Sequence, residues 1–215
     1  MRIPALLVLA LVVPLTTAAD AKPRTFTFGK EDLGKLPKGW TAAKTGTGDG
    51  SVWQVAADAT APSKKGHALA QTAVGPSQLF AVCVADDTSF KDGEISAAFK
   101  AVKGVKDQGG GLVWRYQDAN NYYIARMNPV EENYRLYKVI DGKRTQLATQ
   151  EELKVPAGEW HTLTIRMTGP QIECLLDGKK QLEAKDDAIA KAGKVGFWTK
   201  ADAVTWFDDL KITAK

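Results

Sequence analysis

The sequence is poor in the residues that most often carry metal and redox chemistry. It has two cysteines and two histidines in 215 residues. Two cysteines are too few for the multi-bridge framework of a small secreted scaffold. His67 and His161 lie far apart in sequence, and neither has a second ligand at metal spacing. The chain contains no HExxH segment, no nucleophile elbow and no EF-hand loop. No cofactor is required on these grounds, although a structural calcium ion held by loop carboxylates is left open. The formal net charge is only +4, and no Lys/Arg stripe occurs. A surface of this kind excludes a dedicated nucleic-acid binder.

Long apolar runs are missing too, except at the start. Arg2 precedes the apolar stretch Ala5–Leu15, which Pro14 interrupts, and small residues follow at Thr17–Ala19 and Ala19–Ala21. The run falls short of the roughly 20 apolar residues that span a bilayer. It has the three-part form of a secretory signal over residues 1–21, so a secreted or periplasmic location is expected, with no membrane span after cleavage. The remaining chain, residues 22–215, is long enough for one domain with a full core. Cys83 and Cys174 each sit in an alternating apolar stretch. Export would permit a disulfide between them, and two buried thiols are the alternative.

What is present is β punctuation. Short runs rich in Val, Ile, Tyr, Trp, Phe and Thr recur between Gly, Asp, Asn and Pro turns. Fourteen strands are predicted from these runs, from Arg24–Phe28 to Ala203–Thr213. Asp141-Gly142 and Asp177-Gly178 each separate two strand patterns, and Asp-Gly supplies the positive φ angles of a tight hairpin. Gly109-Gly110-Gly111 leads into Leu112–Tyr116, a strand pattern, whereas a phosphate-binding loop needs a helix there. Helix is scarce, with only a short turn expected at Asp186–Lys191. So many antiparallel strands must close or pair two sheets to avoid open edges. The fold expected is therefore an all-β, two-sheet antiparallel jelly-roll sandwich, sealed by pairing of its first and last strands.

The region richest in polar chemistry runs from Gly109 to Lys138. Alternation places Val113 and Arg115 on one face of the first strand, and Tyr122, Ile124, Arg126 and Asn128 on one face of the next. Arginines fixed beside tyrosines form a surface suited to glycans, because sugars offer hydroxyls to forked donors and C–H faces to rings. A solvated face with Arg stacked on Tyr is the alternative. Glu131, Glu132, Asn133, Arg135 and Lys138 continue this region, with the two glutamates on a loop after Pro129. Further on, Lys200 and Asp202 stand as polar rim residues, while Trp198 is assigned to the core. The candidate ligand-binding set is thus Arg115, Tyr122, Arg126, Asn128, Glu132, Asn133, Arg135, Lys138, Lys200 and Asp202.

The segments GGGLVWRYQDANNYYIARMNP, NYRLYKVIDGKRTQL, GEWHTLTI, LDGKK and GKVGFWTKAD…FDDLKI resemble the concanavalin A-like lectin and glucanase sandwiches. More narrowly they resemble 3-keto-disaccharide hydrolase domains, also described as 3-keto-glucoside lyase/hydratase domains. Laminin-G-like modules share the WHTLTI…LDGK hairpin. The resemblance implies a jelly roll that handles a carbohydrate or keto-sugar, as an enzyme or as a binding module. An envelope adhesion domain is a third reading. The ExDxxE strand motif of retaining glucanases on this fold is absent, and the resemblance assigns no catalytic set.

Overall fold

A computed structural model describes residues 22–215, so the signal-sequence reading of residues 1–21 lies outside the described residues. In chain order the strands are β1 (Arg24–Phe26), β2 (Trp40–Thr45), β3 (Trp53–Ala57), β4 (His67–Gln71), β5 (Phe80–Phe90), β6 (Gly93–Lys103), β7 (Gly110–Asp118) and β8 (Asn121–Asn128). They continue as β9 (Asn133–Ile140), β10 (Lys143–Gln150), β11 (Trp160–Thr168), β12 (Gln171–Leu176), β13 (Lys179–Lys185), β14 (Gly193–Lys200) and β15 (Val204–Ala214). Among the described residues the helical element is a single 3₁₀ turn at Lys30–Asp32. Asp186–Lys191, expected as a short helical turn, is irregular instead.

The strands form two antiparallel sheets, one of eight strands in the order β13-β12-β11-β6-β15-β4-β3 with β1 also on β15, and one of seven in the order β10-β9-β8-β7-β14-β5-β2. This is the jelly-roll sandwich expected from the sequence. The first strand pairs with the last, Phe26 opposite Leu210, as terminal sealing requires. The two Asp-Gly turns take positive φ at both residues, 49° and 75° at Asp141-Gly142 and 48° and 78° at Asp177-Gly178. Those angles match the right-handed twist of the strands they join. Strand β2 was not among the predicted strands. Its sequence, WTAAKT, alternates weakly because it lies at an edge with one partner, β5.

The core between the sheets follows the alternation. Leu112, Trp114, Tyr123, Ala125, Met127, Tyr134 and Leu136 of the seven-stranded sheet face Ile95, Phe99, Leu163, Ile165, Met167 and Phe207 of the other. Cys83 and Cys174 are both buried here as free thiols. A stack of Trp40, Phe197 and Phe207, with ring centroids 5.4 and 4.4 Å apart, ties the sheets together near the centre.

Trp198 is buried as expected, in a second apolar cluster. It lies on the outer face of the seven-stranded sheet with Val82, Val84, Val113, Tyr122, Ile124, Tyr137 and Val139. An outer face can be this dry only if the sheet is strongly curved, and two contacts show that it is. Strands β10 and β5 are five places apart, about 24 Å in a flat sheet. Yet the Arg144 guanidinium of β10 lies 4.8 Å from the Phe80 ring of β5. Likewise Thr45 Oγ1 of edge strand β2 is 2.7 Å from the Tyr122 hydroxyl of β8, four places away, and donates to the Ala119 carbonyl. Twist and coiling have brought opposite corners of the sheet together.

Strand β14 sits tightly between β5 and β7, and its middle residue is Gly196. A Cβ at this position would overlap the Cys83 carbonyl oxygen and the Val84 Cα. Gly196→Ala is expected to cost about 3 kcal/mol by forcing backbone apart, measured as a lower urea midpoint at unchanged m-value.

Candidate functional site

The mouth of the concave face carries a buried polar cluster. It is assembled by the turn from Asn128 to Asn133 and by the 104–109 connection between β6 and β7. The connection is fastened by Asp202 in the β14–β15 turn. Its carboxylate accepts the backbone N–H groups of Val105 at 2.9 Å, Lys106 at 3.0 Å and Asp107 at 2.9 Å. Asp107 is thereby held at 1% exposure, where its Oδ1 accepts from Asn128 Nδ2 at 2.9 Å and its Oδ2 from Lys200 Nζ at 2.8 Å. Burial raises the Asp107 carboxyl above the ordinary aspartate range, against the opposing charges of Arg126 and Lys200.

Arg126 is the second centre. Its Nη1 donates to Asn133 Oδ1 at 3.0 Å and its Nη2 to Glu131 Oε2 at 2.7 Å. Asn128 fixes this turn as well, because its Oδ1 accepts the N–H groups of Val130 and Glu131. Arg135, opposite Arg126 on β9, bridges Glu131 at 3.3 Å and Glu151 at 3.1 Å. Burial would raise the Glu131 carboxyl, but the Arg126 hydrogen bond and charge outweigh it and hold the group ionised below its ordinary range. Phe80, Trp198 and Tyr137 pack beside the cluster, with Arg144 lying across their rings at 4.8, 5.8 and 4.4 Å.

The structure therefore brings together Arg126, Asn128, Asn133, Arg135 and Lys200 from the sequence-predicted set. It separates others. Arg115 was expected to share a face with Val113, but a bulge with φ 45° at Arg115 turns its side chain away. Its guanidinium is buried against the β5–β6 turn and the 189 segment, donating to the carbonyls of Lys91 at 2.9 Å, Ile189 at 2.7 Å and Gly169 at 3.0 Å and to Asp92 at 3.3 Å. Lys138 points to the other side of β9 and pairs with Asp186 at 2.6 Å, beside the Tyr123 hydroxyl. Tyr122 does face the concave side, but its hydroxyl is committed to Thr45 and the residue is fully buried. Asp202 shapes a loop and faces no open space within the cluster. Glu132 is exposed at a positive-φ turn position, and Glu131 is the glutamate that joins the cluster.

Sequence reasoning left out Asp107 and Arg144. Asp107 lies in a loop, where no periodicity orients it. Arg144 was inside a predicted strand, and its alternation with Gln146 was the signal available. Among the described residues no group of three or more His, Cys, Asp or Glu side chains is placed to hold a metal ion. No helix of the described residues is long and apolar enough to cross a membrane.

Comparison with known proteins agrees with this architecture. The family model for the 3-keto-alpha-glucoside-1,2-lyase-like domain matches residues 30–213. No curated protein sequence matches. A carbohydrate binding module, CBM66 from Bacillus subtilis, superposes with a TM-score of 0.62 at 19% identity, covering 80% of this chain and 93% of that one. The Bacillus licheniformis beta-glucanase gives 0.56 at 12% identity over 86% and 96%. Domain 4 of AbnA, a GH43 extracellular arabinanase from Geobacillus stearothermophilus in complex with arabinotriose, gives 0.55 at 15% over 91% and 94%. These likenesses show the concanavalin A-like fold.

Two variants separate scaffold from site. Arg115→Met leaves three carbonyls short of a donor, and a stability loss of roughly 3 kcal/mol is expected, with ligand affinity unchanged in the folded fraction. At Asp202, burial works to raise the carboxyl, yet the amides of Lys106, Val105 and Asp107 prevail and hold it lowered. A depressed folded pKa gives stability that is present above the ordinary aspartate value, about 3.9, and is lost as pH falls through the folded value. Asp202→Ala should therefore unfold more readily than the parent at pH 7, with the gap narrowing as pH falls below the ordinary aspartate value in parallel acid titrations.

Proposed function

The chain belongs to the family of 3-keto-alpha-glucoside-1,2-lyase-like domains, and from that premise we propose that it handles glycosides at the mouth of the concave face, with 3-keto-glycosides as substrate. One observation carries the reading. Arg126, Lys200 and Asp107 are held, dry and mutually oriented, beside the packed rings of Phe80, Trp198 and Tyr137. Forked donors suit the oxygens of a sugar. The apolar leader of residues 1–21 supports action outside the cytoplasm.

The chemistry of a 3-keto sugar fits such a cluster. The carbonyl at C3 acidifies the C2 proton. A base takes that proton, the electron pair forms the C1–C2 double bond, and the aglycone leaves C1 with the C1–O electrons. Negative charge passes through the C3 oxygen, where Arg126 or Lys200 stabilises it. Asp107 is the base the cluster offers, because burial makes its carboxylate a stronger base than an ordinary aspartate. Water then adds to the double bond to give the free keto-sugar.

A non-catalytic glycan-binding module is the second reading. It is favoured by the engagement of both Asp107 oxygens by Asn128 and Lys200.

Purified protein incubated with a 3-keto-glucoside of a chromogenic aglycone separates the two. Aglycone release that falls by a factor of about 100 or more in Asp107→Asn and Arg126→Ala, the typical weight of acid–base and charge-stabilising groups, supports the lyase reading. Tryptophan fluorescence quenched by the sugar without release supports the binding module. Neither release nor quenching overturns both.

A further inference from the structure

The charges at the mouth do not cancel. Lys200 is matched by Asp107, Arg126 by Glu131 and Arg135 by Glu151. Arg144 has no such partner. Among the described residues it makes neither an ion pair nor a hydrogen bond, and its buried Nη1 has no acceptor. Its guanidinium is held by three rings instead, those of Tyr137, Phe80 and Trp198. Arg126 likewise keeps a buried Nε without an acceptor, although both of its terminal nitrogens are engaged. The two arginines and Asp107 lie close enough to influence one another's ionisation, and burial lowers the Arg144 pKa below the usual arginine value.

A partly buried guanidinium without an anionic partner is a costly feature unless something completes it. Neutral hydroxyls would satisfy hydrogen bonds but leave the positive charge unmatched. A carboxylate supplies both needs, because its two oxygens meet the guanidinium fork as a pair of parallel charge-assisted bonds. Lys cannot make the same planar contact.

We infer that this site selects acidic glycosides, with a sugar carboxylate of the uronate type seated on the Arg144 guanidinium. The inference rests on the proposed function, since it assigns a substrate class to the same cleft. It adds a specificity determinant that acts at a different part of the sugar from the cluster around Arg126 and Asp107.

The test is titration of the full chain, by calorimetry and by Trp fluorescence, with methyl β-glucuronide, with the neutral methyl β-glucoside and with a 6-sulfated glucoside. The uronoside is expected to bind about 10- to 100-fold more tightly than the glucoside, the worth of one or two charge-assisted hydrogen bonds, and the advantage should shrink as salt is raised. Arg144→Met should bring the uronoside down to the level of the neutral sugar. Arg144→Lys, which keeps charge but loses the fork, should retain a small part of the preference and serves if the Met variant does not fold. Equal affinities in the parent, a preference for the sulfated sugar over the uronoside, or a preference that survives Arg144→Met overturns the inference while leaving sugar handling intact. Absence of binding by all three sugars, with no aglycone release from the keto-glucoside, overturns the proposed function as well.

Discussion

Curvature of the seven-stranded sheet governs everything else in this molecule. Flat, its outer face would present Trp198, Tyr137, Phe80 and several valines to water, a patch with no means of staying dry. Coiled, the sheet brings edge strand β2 to Tyr122 and edge strand β10 to Phe80. One deformation thus buries the apolar surface and leaves a polar mouth at its end. The glycines are part of the same geometry. At Gly111 and Gly196 the neighbouring strand passes so close that a Cβ would meet carbonyl oxygens. Packing density on the concave side is therefore set by backbone approach as much as by side-chain volume.

The polar mouth depends on that dryness. Asp107, Arg126 and Arg144 are each displaced from their ordinary surroundings by burial, and each is held by a different kind of partner. Asp107 has an amide and an ammonium, Arg126 has a carboxylate and an amide, and Arg144 has aromatic faces. In open water these contacts would be worth little. In a buried site they fix where charge can be accepted, which is the requirement of an eliminating enzyme and of a selective binding module alike.

Much of the architecture was legible in the sequence. Alternation marked most strands, Asp-Gly marked two hairpins, and the aromatic ends of the chain pointed to terminal pairing. Face assignment in β8 was legible for the same reason, since Tyr122, Ile124, Arg126 and Asn128 keep strict period two. It failed at Arg115, where a bulge with positive φ reverses the parity that alternation assumes. The core assignment of Trp198 held, and the coiled sheet supplies that burial on its second dry face. Asp107 was out of reach because its position is set by Asp202, about a hundred residues away in sequence, and loops carry no period.

Cys83 and Cys174 close the account of how the sandwich holds together. They lie in opposite sheets, both buried, both reduced, and burial pushes both thiols far up. No covalent cross-link joins the described strands, so the sheets are held by apolar contact and hydrogen bonds alone. The packing of the described strands therefore does not depend on a sulfur–sulfur bond.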